Sequence, residues 1–374
     1  MGKPTGAKLV ARAASRYERG MPPIFIVGPA RSGTELARSI LNRHPAVYIN
    51  VETHWFEDMR PRLERAGPSS AASIEAAAFL TGLRRRSYGL SNDTGSEQEI
   101  TDLLAEAASV TTSGSTDALF EAFCHVEARK QGCATWGEKT PRHVFSIDRI
   151  LSSFPDARIV ACIRDPRGAV ASYRDWRNHW FDGKNVDNDL AVAIATEEKR
   201  TQKSYSLTIC SLLWRSAVTQ ARHAIDRYGT DRVYALRFED LLHDPDREIQ
   251  ALTTWLGLEA HPDLAQVTVT NSSYVAAGTM KGLHAAVAEN WRSRLSSREI
   301  EWIEMLTGSA MADWRYQRES KRPRVTTFCL NVSRLPYEIM KAFIANRSRI
   351  SDLPRYISSR IAGLVMSFPK TPRA

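Results

Sequence analysis

The sequence predicts an α/β fold, a three-layer sandwich in which helices cover both faces of a central parallel sheet. The apolar run at 24–27 and the stretch 158–164 are typical of buried strands, and 232–237 predicts a further strand. Helical patterns follow these runs, and strands that alternate with helices favour a parallel sheet. A chain of 374 residues is long enough for one large domain of this kind with additions.

The loop after the first strand is bounded by Gly28 and Gly33 and is followed by a helix. This order forms a cradle for an anion, because backbone N–H groups and the positive end of the helix face it. The spacing equals that of a Walker A loop, G-x-x-x-x-G-K-S/T, so the predicted fold is P-loop-like. Thr34 and Glu35 replace the Lys and the metal-binding hydroxyl, and the cation is Arg31. The loop therefore suits a small anion better than Mg-ATP, although this motif also occurs as a turn that only packs a strand on a helix.

Local patterns also predict the later strands and helices. Val47–Val51 alternates and predicts a second strand, and 135–141 is typical of a strand end with its loop. Residues 56–130 are Ala-rich with helical patterns, and we predict a helical insertion over the active site. Asp165 and Pro166 supply an N-cap and a Pro at N1 of a later helix. That helix is predicted over 166–178, and further helices are predicted over 34–43, 191–228 and 246–256.

Three segments carry a family resemblance: Val27–Thr34, His44-Pro45 and Glu52-Thr53. They resemble the sulfotransferases that use 3′-phosphoadenosine 5′-phosphosulfate (PAPS), especially the branch of tyrosylprotein sulfotransferases and their bacterial relatives. The resemblance covers about residues 22–315 and implies in-line, metal-free transfer of a sulfuryl group from PAPS to a hydroxyl acceptor. At Ala30 the family has Pro. At Glu35 it has a second Thr, so this chain lacks one hydroxyl and adds a negative charge near the phosphosulfate.

The same resemblance implies the catalytic residues. Arg31 and Lys139 are the candidate cations for the bridging oxygen and the 5′-phosphate, and Ser32, Gly33 and Thr34 complete the phosphate loop. For Lys139 the alternative is a surface salt bridge with Glu138.

The candidate general base is Glu52, which lies 21 residues after Arg31 and is followed by Thr53. A base must lie within hydrogen-bond reach of the acceptor hydroxyl. His54 is the alternative, because the cytosolic small-molecule sulfotransferases use His, which titrates near neutrality.

The 3′-phosphate of the donor is assigned to Arg164 and Ser172. Arg164 ends a strand, and Ser172 lies two turns into the next helix, so both can face one anion at the carboxyl edge of the sheet. The alternative is a strand-end Arg that Asp165 caps. Ser273 and Lys281 resemble the family's late loop over the nucleotide. Arg167 and Arg174 are expected at the surface.

The last 56 residues, 319–374, hold eleven Lys or Arg against three Asp or Glu, although the whole chain has a net charge of only +9. Apolar residues recur there at helical spacing: Leu335, Ile339, Phe343 and Ile344, then Ile361, Leu364 and Val365. We predict a basic, partly amphipathic extension that docks on the domain, on a partner or on a membrane surface. A basic segment suits an acidic partner, and we expect an anionic lipid surface and no nucleic acid. A solvated tail with no partner is the alternative.

The sequence divides into a basic lead-in (1–21), a sulfotransferase-like domain (22–318) and the extension (319–374). Five scattered cysteines without a C-x-x-C pair, and nine dispersed histidines, indicate neither a disulfide framework nor a metal site. With no signal-peptide-like apolar run in 1–21, we expect a cytoplasmic enzyme, peripheral to a membrane.

The acceptor is left open among a glycan, a lipid-linked sugar, a tyrosine and a small alcohol. Two other functions are kept as alternatives. One is a kinase-like enzyme with a degenerate P-loop, and the other is a non-catalytic protein that retains the fold.

Overall fold

Five parallel strands form the centre of the molecule in the order β2-β3-β1-β4-β5. The computed structural model describes residues 21–66, 70–87, 95–110, 117–176, 205–267, 283–320, 325–346 and 353–366. The strands are β1 Ile24–Val27, β2 Val47–Asn50, β3 Thr135–Lys139, β4 Arg158–Ile163 and β5 Val233–Arg237. In the middle of the sheet, Ile26 is in register with Lys139 on one side and with Val160 on the other.

Alternation along β1 supplies both halves of the core. Phe25 and Val27 join the core on one face of the sheet, and Ile24 and Ile26 join the core on the opposite face. Because helices cover both faces, the strand reads as a continuous apolar run. The sheet and its two helical layers confirm the predicted α/β fold class.

One face is covered by helices from several parts of the chain. Phe120 stacks over Phe25 here, and the ring edge of Trp136 meets both side chains. The predicted helical insertion therefore supplies core residues on this face. A π-helical turn, Trp55–Met59, precedes α2 Arg60–Ala66, α3 Ser70–Ser87, α4 Glu97–Val110 and α5 Ala118–Lys130. A 3-10 turn, Pro141–Ser146, α6 Ile147–Ser153, α7 Pro166–Trp176 and α8 Leu207–Tyr228 follow.

The opposite face is covered by α1 Thr34–Leu41, α9 Phe238–His243 and α10 Pro245–Leu256. Asp244 caps α10 by accepting a hydrogen bond from the backbone N–H of Arg247, and Pro245 occupies the first turn. Helix α1 ends at Leu41, two residues earlier than predicted, and α8 begins at Leu207, so the predicted helical stretch 191–204 lies outside the described residues.

Four more helices follow in the described part of the chain: α11 Ala286–Glu289, α12 Ser297–Asp313, α13 Val325–Asn346 and α14 Leu353–Met366. A capping box formed by Ser296 and Glu299 fixes the start of α12. Both α13 and α14 pack against α8. In α14, the buried Arg360 forms an ion pair of 2.8 Å with Glu57. Among the described helices, none has the length and apolar character needed to cross a membrane.

Candidate active site

Three cationic side chains meet at the carboxyl edge of the sheet. Lys139 is the last residue of β3, Arg31 lies in the loop after β1, and Arg164 directly follows β4. These strands are neighbours, and from β1 the chain builds β2 and β3 on one side and β4 and β5 on the other. Such a switch point is where open α/β sheets bind ligands.

Close backbone packing explains the glycines of the phosphate loop. Gly28 has φ 145°, and a Cβ placed on it would lie 2.3 Å from the carbonyl oxygen of Cys162 on β4. Gly33 has φ 87°, and its Cβ would lie 2.6 Å from the ring of Phe238. Only glycine fits both positions without a shift of the loop. The loop therefore lies directly on β4 and α9 and leads into the first turn of α1.

Arg31, Arg164 and Ser172 lie together, as the sequence predicts. Arg31 Nε donates a hydrogen bond of 3.2 Å to Ser172 Oγ, and Arg164 donates one of 3.1 Å to the carbonyl oxygen of Arg31. The guanidinium of Arg164 stacks 4.2 Å from the ring centre of Phe238. Trp214 donates a hydrogen bond of 2.8 Å to the carbonyl oxygen of Arg164. Arg164 is thus fixed in orientation by partners from three other elements.

Several polar atoms at this point are buried without a hydrogen-bond partner among the described residues. They are Nε and one terminal nitrogen of Arg164, and Oγ of Ser32. A buried donor without an acceptor costs free energy, and this cost is larger for a charged group. An anion that accepts from Arg164 and Ser32 would remove it. The donor set is therefore suited to phosphate or sulfate groups.

A chain of alternating charges lies beside the loop. Lys139 Nζ is 2.6 Å from Glu52 and 3.1 Å from Glu35, and Glu35 is 2.6 Å from Arg38. Burial alone would lower the pKa of Lys139, but the charges of Glu52 and Glu35 raise it above its ordinary value. Burial would likewise raise the pKa of Glu35, yet Arg38 and Lys139 hold it below its ordinary value. The extra carboxylate of this loop is thus neutralised by two cations.

The buried Glu138 fixes the loop that carries Glu52. It accepts hydrogen bonds from the backbone N–H and hydroxyl of Thr53, at 3.0 and 2.9 Å, and from the hydroxyl of Thr140. His143 lies 3.0 Å from its other oxygen. Burial opposes the charge, but His143 and these hydrogen bonds hold the pKa of Glu138 below its ordinary value. The alternative of a surface salt bridge between Lys139 and Glu138 is wrong, because both side chains are buried and Glu138 has these other partners.

His54 lies next to Glu52 in a strained backbone conformation. Its φ is 54°, and of the three non-glycine residues with positive φ among the described residues, His54 and Arg31 both belong to this site. Arg142 approaches His54 Nδ1 at 3.0 Å, and His54 Nε2 lies 3.6 Å from Glu52. A guanidinium can only donate, so Nδ1 is the acceptor and Nε2 carries the ring proton. That proton faces the carboxylate of Glu52.

The family model described as the sulfotransferase family matches residues 22–263. This chain belongs to the sulfotransferase family. The predicted resemblance is thereby confirmed, and the matched range contains every described site residue.

Curated relatives resemble this chain at low identity. The nodulation protein NoeE of Sinorhizobium fredii is 21% identical over 299 residues, which cover 76% of this chain and 63% of NoeE. Protein-tyrosine sulfotransferase 1 of Rattus norvegicus is 26% identical over 169 residues, 45% of this chain and 38% of that protein. The chain therefore spans less than two thirds of these relatives.

Solved sulfotransferase domains also resemble the structure. The domain from the Synechococcus PCC 7002 olefin synthase has a TM-score of 0.48 at 19% identity and covers 79% of this chain and 95% of its own. The domain from the curacin biosynthetic pathway has a TM-score of 0.48 at 15% identity and covers 80% and 99%.

The predicted site residues of this family member fall into three groups. The first group is the phosphate loop and its contacts: Arg31, Ser32, Gly33, Thr34, Arg164 and Ser172. The second group is the ion pair of Glu52 and Lys139 beside the loop. Ser273 and Lys281 lie outside the described residues. Among the described residues, no group of three or more His, Cys, Asp or Glu could hold a metal ion.

One sequence prediction near the site is wrong. Arg167 is 4% exposed and not at the surface. It forms ion pairs of 2.5 Å with Asp165 and 2.7 Å with Glu304, and it stacks on Trp291. Asp165 therefore pairs with Arg167 and not with Arg164, so the guanidinium of Arg164 is available for a ligand.

Other residues of the site were not predicted: Arg38, Arg142, Phe238 and Trp214. Arg142 and Phe238 have a signal in the sequence, since each closely follows the carboxyl end of a strand.

Proposed function

We propose that this family member transfers the sulfuryl group of PAPS to a hydroxyl acceptor. The observation that carries the proposal is the buried guanidinium of Arg164, which offers two unpaired N–H-bearing nitrogens beside a phosphate loop. That loop lacks the Lys and the metal-binding hydroxyl of a Walker A motif. A site that can hold two separate anionic groups matches a donor with a 3′-phosphate and a 5′-phosphosulfate.

The residues present fit this donor. Arg164 and Ser172 would hold the 3′-phosphate, and Ser32, Gly33 and Thr34 would hold the phosphosulfate end through the loop and the first turn of α1. PAPS supplies the sulfuryl group, whose bond to the 5′-phosphate oxygen breaks as the acceptor oxygen attacks the sulfur. By family resemblance, Ser273 and Lys281 would add contacts to the nucleotide.

We assign the cation at the leaving oxygen to Lys139. Lys139 has two carboxylate partners, Glu35 and Glu52. It can therefore move from Glu52 toward the negative charge that develops on the leaving oxygen and remain paired with Glu35. A positioned cation in a site with little water stabilises such charge strongly. Arg31 donates a hydrogen bond from Nε to Ser172, and the N–H groups on its two terminal nitrogens allow it to assist at the leaving oxygen as well.

Glu52 is the base that the geometry favours. Its carboxylate is 40% exposed, so an acceptor can approach it, and it takes the proton of the acceptor hydroxyl as the new oxygen–sulfur bond forms. His54 suits this role less well, because Nδ1 faces a guanidinium and Nε2 already carries a proton. We infer that His54 positions the carboxylate.

Several acceptor classes remain compatible with an exposed base. A tyrosine hydroxyl is one, since one relative is a protein-tyrosine sulfotransferase. A glycan, a lipid-linked sugar and a small alcohol are the others.

The test follows sulfur-labelled PAPS into a library of hydroxyl compounds, with Glu52→Gln and His54→Gln as paired variants. We expect transfer by the wild type, a loss of about 100-fold or more in Glu52→Gln and a loss below about tenfold in His54→Gln. Binding of adenosine 3′,5′-bisphosphate, the donor product, should survive in both. Full turnover by Glu52→Gln, or the larger loss in His54→Gln, would overturn the assignment of the base.

A further inference from the structure

Helix α13 carries a row of large apolar side chains on its outward side. Spacings of three, four and seven residues place them on one side of the helix. Each is between 39% and 57% exposed: Phe328, Val332, Ile339, Met340, Phe343 and Ile344. We call these six residues the α13 stripe. Only Phe328, at one end, has an aromatic contact with the domain, through Trp302.

The half-buried side of α13 mixes polar residues with Leu335 and two alanines, whereas the large apolar residues of the stripe lie on the outward side. Glu338 is half-buried there and accepts a hydrogen bond from the hydroxyl of Ser206 on the domain. Asn331 is also half-buried. A helix that only covers the core places its large apolar residues inward, whereas α13 exposes six of them. The α13 stripe therefore indicates a second apolar environment.

Exposed apolar side chains are concentrated at this end of the chain. Of the ten large apolar side chains that are exposed among the described residues, nine lie on α13 or α14, and the other is Ile74 on α3. Helix α14, which also packs on α8, adds Ile357 and Ile361. Contiguous exposed apolar surface marks an interaction site in most soluble proteins.

Charge decides which environment fits. The segment 319–374 holds eleven Lys or Arg against three Asp or Glu. On α13 itself, Arg334 and Lys341 border the outward side next to Tyr337. A second copy of this chain would bring an equally basic segment to the contact and would be repelled. An anionic bilayer attracts basic residues at its headgroups and accepts apolar side chains just below them.

We propose that α13 lies in the surface of an anionic membrane, with the α13 stripe inserted and the basic residues at the headgroups. This docking is peripheral, and it goes beyond the proposed transfer reaction. It would hold the active site close to the bilayer.

The test is co-sedimentation of the full chain with vesicles of phosphatidylcholine that contain about 30% phosphatidylserine, beside vesicles of phosphatidylcholine alone. We expect binding to the anionic vesicles, and a loss of about tenfold or more in the partition coefficient of Ile339→Ser/Phe343→Ser/Ile344→Ser. The matched control is Ile74→Ser, an equally exposed isoleucine elsewhere, which should bind as the wild type does.

A second variant tests the charge separately. In Arg334→Gln/Lys341→Gln, each lost charge should weaken binding about fivefold at low salt, and the loss should shrink as salt is added. Both variants should keep the melting temperature of the wild type, since none of the changed side chains is buried.

Three outcomes would overturn the proposal. One is equal binding by the wild type and the triple variant. Another is failure of the wild type to bind anionic vesicles. The third is a wild type that sediments as a dimer without vesicles and becomes monomeric in the triple variant, which would assign the α13 stripe to a second copy.

Discussion

Arg164 provides the sharpest test of donor binding, through the substitution Arg164→Met. The guanidinium is nearly buried, and two of its nitrogens have no hydrogen-bond partner among the described residues. A hydrogen bond to a charged group contributes about 1.5–3 kcal/mol, so two of them contribute about 3 kcal/mol or more. The dissociation constant for adenosine 3′,5′-bisphosphate should therefore rise at least about 100-fold.

Thermal denaturation converts this loss into a measurable shift. A ligand at about 100 times its dissociation constant stabilises the wild type by about 2.7 kcal/mol. At the same concentration, the weakened Arg164→Met variant should gain only about 0.4 kcal/mol. Without ligand, the variant should be at least as stable as the wild type, because Met removes a buried charge whose donors are unpaired.

The matched control is Arg158→Met, the same substitution at the opposite end of β4, where Arg158 stacks on Trp255 and not on the phosphate loop. It should keep the full ligand-induced shift in melting temperature. A full shift in Arg164→Met would refute the assignment of Arg164 to the donor.

Three further predictions concern charged groups around the site. Glu35→Thr removes a carboxylate that shares Lys139, so adenosine 3′,5′-bisphosphate should bind about fivefold more tightly or better by titration calorimetry; weaker binding would mean that Glu35 positions Lys139 for the donor. The pKa of Glu138 is held below its ordinary value of 4.5, mainly by His143 against the effect of burial, so its contribution to stability is present above that value and is lost as the pH falls through the lowered pKa. Urea midpoints between neutral and acidic pH should therefore fall more steeply in the wild type than in Glu138→Gln, and parallel curves would contradict this. Arg167→Ala breaks a buried ion pair and should lower the free energy of unfolding by about 3–5 kcal/mol in urea, whereas a loss below about 1 kcal/mol would show that the pair is dispensable.

The parts of the fold that the sequence predicts are those with a local signal. The continuous apolar run of β1, and the glycines that flank its loop, are visible within a dozen residues of sequence. Arg164 is predictable because it directly follows an apolar strand, and the ends of parallel strands meet at one edge.

The pairings of charged side chains are what the sequence does not reveal. Arg167 is buried against Glu304, which lies 137 residues further along the chain. Nothing local distinguishes it from a surface arginine. From the sequence alone, Glu35 is an unfavourable negative charge beside a phosphate loop. The structure shows that it forms ion pairs with Lys139 and Arg38.

The proposed function depends on recognition of the 3′-phosphate of an adenosine donor by Arg164 and Ser172. Titration calorimetry with adenosine 3′,5′-bisphosphate, adenosine 5′-monophosphate and Mg-ATP tests it most directly. The account predicts that the bisphosphate binds about 100-fold more tightly than the monophosphate, because its second phosphate meets Arg164 and Ser172. Mg-ATP binding more tightly than the bisphosphate would contradict it.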